Sequence, residues 1–145
     1  MKGQTSLELL ITIGIVLAFT IPVLFLLLSF TSVGYEDTTK AQADAAARTL
    51  ADAMNSVYSQ GAGAKKTILL NVPASTEEVY ASGGEAVVRI RTSGGTFDAV
   101  SPTFAKIKGD SQTIGTKSGL FVVVVQAEET IDGVEVALID PSASS

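Results

Sequence analysis

The fold of this chain is decided by residues 9–30, which read LLITIGIVLAFTIPVLFLLLSF and contain no charged side chain. A helix of these residues is about 33 Å long at about 1.5 Å per residue, and the hydrocarbon core of a bilayer is about 30 Å thick. A removable secretory signal has an apolar stretch of only about 7–15 residues, followed by small residues at the cleavage site. No Ala-x-Ala site lies immediately after Phe30. The run therefore predicts a membrane-spanning helix that is retained.

One carboxylate, Glu8, stands immediately before this apolar run. A carboxylate at the centre of a membrane helix costs about 2.5–3.5 kcal/mol, and the cost falls near a helix end because the side chain can reach the interface. One interpretation is that Glu8 marks the membrane edge, and another is that it interacts favourably with the helix dipole. Neither interpretation explains the whole cluster of residues 2–8, KGQTSLE.

The cluster Lys2-Gly3-Gln4-x-Ser6-x-Glu8 resembles the class III signal peptide of archaeal type IV pilin-like proteins, in the adhesion-pilin branch. In that family a membrane peptidase cuts before the apolar segment. The resemblance therefore implies a leader at residues 1–3 that is cleaved after Gly3, and a mature chain that begins at Gln4. Lys2 matches the basic residue before the cut. Ser6 and Glu8 match the polar positions that follow it.

The resemblance covers residues 1–30, and one position departs from the family pattern. The family usually has an aliphatic residue four places after the glutamate, and this chain has Thr12 there. A Thr in a helix can hydrogen-bond back to a backbone carbonyl, so we expect the helix to accept it. The leader is minimal, because it carries a single Lys.

Cleavage after Gly3 would give Glu8 a partner. The new amine of Gln4 lies four residues before Glu8, and residues four apart share one face of a helix. In the pilin family the glutamate meets the N-terminus of its own or a neighbouring subunit in the filament core. Paired charges are tolerated in a dry core where an unpaired charge is not. The resemblance thus implies that Gln4, Ser6 and Glu8 guide filament assembly.

Three residues of the apolar run are candidates for helix packing. Gly14 and Ala18 form a small-x-x-x-small pair, which lets two helices approach closely, although such pairs also occur by chance. Pro22 lacks an N–H and clashes with the carbonyl of Ala18, which predicts a bend or a local loosening. A bend would help the helix fit a filament, but a single-pass anchor would tolerate Pro22 equally well.

A helical pattern continues beyond the apolar run, with Gly34 as a break or an end. Its predicted buried face recurs at three- and four-residue steps: Ala43, Ala46, Leu50, Met54 and Val57. The segment 61–63, GAG, is typical of a helix end. We expect helix over residues 4–60, forming the membrane span of a precursor and a filament core, and a linker at residues 61–64.

Residues 65–140 predict a β-rich head domain. The candidate strands are 66–72, 76–82, 85–91, 96–100, 103–108, 119–128 and 133–140. Asp132-Gly133 is the clearest hairpin signal, and the apolar run 120–125 predicts a central strand buried on both faces. The fold class is therefore α+β, with a long N-terminal hydrophobic helix and a small antiparallel, sandwich-like head. We expect the tail, residues 141–145, to fray.

The composition disfavours several function classes. The chain has no His and no Cys, and its net charge is −5. Common catalytic triads, thiol nucleophiles and His or Cys metal sites are therefore excluded, and the negative charge disfavours nucleic-acid binding. The pairs Glu77-Glu78 and Glu128-Glu129 are not preset for acid–base chemistry, because strand neighbours point to opposite faces. We expect no cofactor, no metal site and no enzyme activity, although calcium binding and a catalytic Ser–Lys pair stay open.

Two basic alternations occur in the predicted head. Arg89 and Arg91 share one face of a strand, and Lys106 and Lys108 repeat the pattern around Ile107. The simplest interpretation is a solvated sheet face. The alternatives are an electrostatic contact with an acidic patch of the next subunit, or capture of DNA, which the negative net charge disfavours.

The resemblance implies a structural pilin subunit that polymerises into an archaeal type IV pilus-like surface filament for adhesion. Its implied partners are other copies of itself, a prepilin peptidase, a pilus assembly ATPase and a membrane platform protein. The precursor would lie in the cytoplasmic membrane and the mature chain in an extracellular filament. The alternatives are a membrane-anchored surface protein or minor pilin-like binding component, and an archaellin, the subunit of a motility filament.

Overall fold

The computed structural model describes residues 2–143, which form one long helix followed by seven strands. The bounds are α1 Lys2–Gln60, β1 Lys65–Val72, β2 Thr76–Ser82, β3 Glu85–Thr92, β4 Gly95–Pro102, β5 Ser111–Gly115, β6 Gly119–Thr130 and β7 Gly133–Ile139. The expected α+β class is confirmed. A short 3₁₀ turn, Lys108–Asp110, precedes β5.

The chain divides into two compact units between Asp37 and Thr38, within α1. In the second unit the residues predicted to form the buried helix face are at most 4% exposed. The helical assignment runs through Gly34, so neither a break nor an end occurs there. Helix α1 ends where Gly61 adopts a φ of +90° and its N–H bonds to the carbonyl of Tyr58, a conformation that glycine adopts without strain.

The strands form two antiparallel sheets. One has three strands in the order β1–β6–β7, and the other has four in the order β4–β3–β2–β5. The buried side chains of both sheets join those of α1 in one hydrophobic core. Strand β6 is central in its sheet, as the long apolar run predicted.

The prediction that β6 is buried on both faces is wrong. Val123, Val125 and Ala127 are fully buried on the core side, whereas Leu120 is 63% exposed and Val122 is 38% exposed on the other side. Only one face of this sheet therefore meets the core formed by the described residues. Because every residue of the run 120–125 is apolar, the sequence does not show that burial alternates along the strand with a period of two residues.

The hairpin predicted at Asp132-Gly133 joins β6 to β7. Thr130 pairs with Gly133 across the turn, and the hydroxyl of Thr130 donates a 2.9 Å hydrogen bond to the carbonyl of Gly133. Ile131 and Asp132 are the two turn residues, and Gly133 has a φ of +116°. Glycine adopts a positive φ without the steric cost that other residues incur.

The prediction of a strand over residues 103–108 is wrong. Residues 103–107 form an irregular segment whose backbone is joined to β7 by a parallel bridge between Ile107 and Val136. A side chain of α1 holds the segment: Asn55 Oδ1 accepts hydrogen bonds from Thr103 Oγ1 at 2.6 Å and from the Phe104 N–H at 3.0 Å. The strand that the chain forms instead, β5, was missed, because Ile114 is the one buried apolar residue in SQTIG.

The described part of the tail contacts the end of β7 through Asp140. Residues 141–143 form a turn in which the Ser142 N–H and hydroxyl both donate to Asp140 Oδ1, at 2.9 and 2.7 Å. The ammonium of Lys117 contacts Asp140 Oδ2. The prediction that the tail frays stays a prediction, and residues 144 and 145 lie outside the described range.

Candidate assembly surfaces

The residues predicted for cleavage and assembly all lie in the first turns of α1. Lys2, Gly3, Gln4, Ser6 and Glu8 are exposed there. The first turn carries no acidic residue in this uncut helix. The dipole effect falls off within one turn, so it gives Glu8 little stabilisation before cleavage. The four-residue spacing places Gln4 and Glu8 on one helix face.

Hydroxyl groups in the apolar run bond to the helix itself. Thr12 Oγ1 donates a 2.8 Å hydrogen bond to the carbonyl of Glu8, as expected for this departure from the family pattern. Thr20 and Ser29 bond in the same way to the carbonyls four residues earlier, at 2.7 and 3.0 Å. A hydroxyl without a partner is costly in an apolar medium. These three side chains therefore fit an apolar environment without needing a partner from outside.

The apolar run exposes large side chains around its whole circumference. The large aliphatic and aromatic residues between Leu7 and Phe30 are 47–72% exposed. Among the described residues, α1 is the one helix long and apolar enough to cross a membrane. A helix that is apolar on every side is normally covered by lipid or by other protein. Lipid or other protein is therefore the kind of environment that suits this surface.

The helix-packing candidates are equally exposed. A Cβ added at Gly14 would meet no atom within 4 Å, so no contact inside the chain requires a glycine there. Glycine within a helix costs about 1 kcal/mol relative to alanine. Ala18 is one turn further along the same face. The helical assignment continues without interruption through Pro22, so the proline does not break α1.

The arginines of β3 are engaged within the head. Arg89 forms a two-pronged ion pair with Asp98 on β4, with Nε–Oδ1 at 2.7 Å and Nη2–Oδ2 at 3.0 Å. Arg89 also donates to the Tyr80 hydroxyl at 3.2 Å. The hydrogen bonds with Asp98 raise the pKa of Arg89 and lower the pKa of Asp98. A planar guanidinium suits this geometry better than a lysine would.

The side chains of the acidic pair Glu77-Glu78 lie on the same face of β2 and not on opposite faces. Glu78 lies 3.8 Å from Arg89 and Glu77 lies 2.5 Å from Arg91, so both carboxylates meet the same basic face. The predicted opposite orientation is wrong here because the β2–β3 register shifts between Thr76 and Glu78. Such a bulge inserts a residue and breaks the alternation of faces.

The lysines of the second alternation are also paired. Lys106 lies 3.3 Å from Glu135, and Lys108 lies 2.5 Å from Glu128. These pairs and those of the two arginines are at least partly exposed and have the character of ordinary surface ion pairs. They favour the solvated-face interpretation. No cluster of three or more carboxylates suited to a metal occurs within residues 2–143.

No protein-family model, curated protein or solved structure matches the chain. The strongest functional feature is the unpartnered apolar surface of α1 with Glu8 beside it.

A second exposed apolar surface was missed by the sequence reasoning. It lies on the outer face of the β1–β6–β7 sheet and is called the outer patch; its members are Leu69, Leu120, Val122, Val124 and Ile139. Leu69 pairs with Val122, and Val124 pairs with Ile139, so the side chains are contiguous across three strands. The even-numbered apolar positions of β6 are the signal that could have found it.

Proposed function

We propose that this chain is a structural pilin-like subunit, which is held in a membrane by its apolar helix and then polymerises into an extracellular filament. The observation that carries the proposal is the apolar surface of α1, exposed on every side between Leu7 and Phe30. Lipid would cover it in the precursor, and the helices of other copies would cover it in the filament. The archaeal origin, the adhesive role and the peptidase, ATPase and platform partners rest on the resemblance of residues 2–8.

Packing and polar pairing must drive the exchange between these two environments. Moving an apolar helix from lipid to protein gains little hydrophobic free energy, because lipid is already apolar. Glu8 supplies the polar pairing. Its carboxylate meets the amine that cleavage creates on Gln4 of the same or an adjacent copy, and an ion pair inside the dry core fixes the axial position of each added subunit.

The second unit is better suited to form the outer surface of a filament than to carry an active site. Its cationic side chains on β3 and in the segment 106–108 are held in ion pairs with carboxylates of the same chain. The chain has neither His nor Cys, so we assign it no catalytic role. In the filament the head would form the outer surface around a core of helices.

Two measurements test the proposal. Mass spectrometry of protein recovered from cell-surface filaments should give an N-terminus at Gln4, and electron microscopy should show filaments in which this chain is the major component. An N-terminus beyond residue 30 would rule out a retained helix. Recovery of an intact monomer solely from the membrane fraction would instead identify an anchored surface protein, which the membrane-length helix α1 also suits.

A further inference from the structure

The outer patch is too small to be a stable interface by itself. Leu69 and Leu120 are 58% and 63% exposed, and Val122 and Ile139 are 38% and 39% exposed. The largest apolar patch on an ordinary monomer covers about 300–600 Å², and five partly exposed aliphatic side chains are of that size. A stable interface buries about 800 Å² on each partner. A contact through the outer patch would need the partners to be held together by other means.

The tip of the β6–β7 hairpin carries an unusual side chain. Ile131 is fully exposed, at 105% of its reference area. Residues at two-residue turns are usually polar or glycine, because they face water on most sides. Ile131 therefore contributes little to the fold of its own chain, and an apolar partner would bury it completely.

Ile131 and the outer patch cannot meet within one chain. Both belong to the same hairpin, but about 30 Å of extended strand separates Val122 from Ile131. Strand β6 is continuous from Gly119 to Thr130 and is paired along its whole length, with β1 over residues 119–126 and with β7 over residues 124–130. It therefore cannot fold back on itself. A contact between tip and patch has to join two copies of the chain.

We propose that the Ile131 tip of one copy docks on the outer patch of the next copy. The two surfaces differ, so the contact is head-to-tail, and such contacts build open polymers when the rotation between copies does not close a ring. This inference rests on the proposed function, because polymerised helices would hold neighbouring heads at the high effective concentration that a small contact requires. A face-to-face contact of two outer patches would instead stop at a dimer.

The charges around the two surfaces are complementary. The tip carries two exposed carboxylates, Glu129 and Asp132, whereas exposed Lys65 borders the patch on β1, opposite Gln126. None of these three side chains forms an ion pair with another residue in the range 2–143. Opposite charges at the rim of a contact orient the partners more than they strengthen it.

Cysteine cross-linking tests the contact directly, because the natural chain contains no Cys. Filaments of the double variant Val122→Cys, Ile131→Cys are treated with a short bismaleimide and separated under denaturing conditions. We expect a ladder of covalent oligomers, since each chain offers one thiol to each neighbour. The matched control is Val100→Cys, Ile131→Cys. Val100 is 46% exposed on the other sheet, and this pair should give no ladder.

The single variants Val122→Cys and Ile131→Cys distinguish head-to-tail docking from face-to-face and tip-to-tip pairing. After the same treatment, filaments of either single variant should give monomers under denaturing conditions. Filaments mixed from the two variants should give covalent dimers that contain one chain of each kind. Dimers from Val122→Cys alone would show face-to-face pairing, and dimers from Ile131→Cys alone would show tip-to-tip pairing; either would overturn the proposal. Intact filaments without a ladder would overturn this inference alone. Absence of filaments from the natural chain would overturn the proposed function as well.

A second measurement covers the case in which cysteine variants do not assemble. Filaments of Ile131→Ser should break into shorter pieces under shear that leaves natural filaments intact, and filaments of Val100→Ser should match the natural ones. Equal breakage of the two serine variants would contradict docking at the tip. Membrane insertion of the precursor should be the same in all three chains, because both positions lie in the head.

Discussion

Asn55, near the end of α1, accepts a 2.6 Å hydrogen bond from the hydroxyl of Thr103, 48 residues further along the chain. The same oxygen accepts from the Phe104 N–H at 3.0 Å. One side chain of the helix thus holds a segment that has no regular structure of its own. The contact ties the helix to the connection between β4 and β5.

We expect Asn55→Ala to lower the free energy of unfolding by about 1–3 kcal/mol, because it leaves two donors without an acceptor. Asn71 on β1 is exposed and provides the matched control, so Asn71→Ala should change stability by less than about 0.5 kcal/mol. Urea unfolding of the full chain in detergent, followed by circular dichroism, measures both. Equal stability of the two variants would show that the segment is held by its apolar contacts instead.

The Asp140 cluster predicts a loss of stability in acid. The contact with Lys117 and the hydrogen bonds from Ser142 lower the pKa of Asp140 to about 2, against an ordinary value near 3.9. A depressed pKa stabilises the fold at pH values above the unfolded pKa, and this contribution falls as the pH drops from about 4 to about 2. Asp140→Asn should remove this part of the pH dependence.

Thermal unfolding between pH 2 and pH 6 checks this expectation. The melting temperature of the natural chain should fall more steeply below pH 4 than that of Asp140→Asn. Asp110→Asn is a suitable control, because Asp110 is exposed and its side chain lies outside the cluster. Parallel curves for the natural chain and Asp140→Asn would contradict the role of the cluster.

Glu8 is expected to act in assembly and not in membrane insertion. Glu8→Gln and Glu8→Ala remove the charge that would meet the amine of Gln4, so filament yield should fall strongly while the amount of membrane-bound precursor stays the same. Asp37→Asn changes an exposed acid of α1 outside the apolar run and should leave assembly unchanged. Normal filaments from both Glu8 variants would show that the ion pair is not needed.

Gly14 offers a test of close helix packing. A Cβ added at this position meets no atom within 4 Å, and leucine favours the helix by somewhat under 1 kcal/mol relative to glycine. We therefore expect Gly14→Leu to insert and fold normally but to assemble poorly, because its side chain would separate helices that approach at Gly14. Gly14→Ala should have the smaller effect of the two. Unchanged filament yield from Gly14→Leu would indicate that the Gly14–Ala18 pair arose by chance.

The elements with a regular apolar period were predictable. The alanine-rich face around Leu50 shows the 3.6-residue repeat of a buried helix, and β2 at Thr76–Ser82 was predicted with its observed bounds. Glycines at the turns separated these strands correctly. Local physical chemistry determines such elements, because each one buries its own apolar face in the common core.

Other features depend on contacts between distant parts of the chain, which no local sequence pattern indicates. Residues 103–108 alternate like a strand, but Asn55 holds them from far along the chain. Strand β5 has few apolar residues and exists because β2 offers it an edge. The orientation of Glu77 follows from a bulge whose position the sequence does not mark.

The cleavage and assembly candidates were found from the sequence because they form a compact motif. The outer patch was not found, since a run of six apolar residues does not show which of them face the core. A strand of apolar residues can be covered on both faces of its sheet, or on one face while the other is exposed. The same amino-acid sequence fits either case.

The back-bonded hydroxyls of Thr12, Thr20 and Ser29 have a thermodynamic consequence. Each hydroxyl keeps the same acceptor whether lipid or protein surrounds the helix, so the transfer between them neither breaks nor forms a hydrogen bond at these positions. Their contribution to the free energy of transfer is close to zero in both directions. In the proposed exchange between membrane and filament, the balance would then be left to Glu8 and to helix packing, so a single substitution there would shift it.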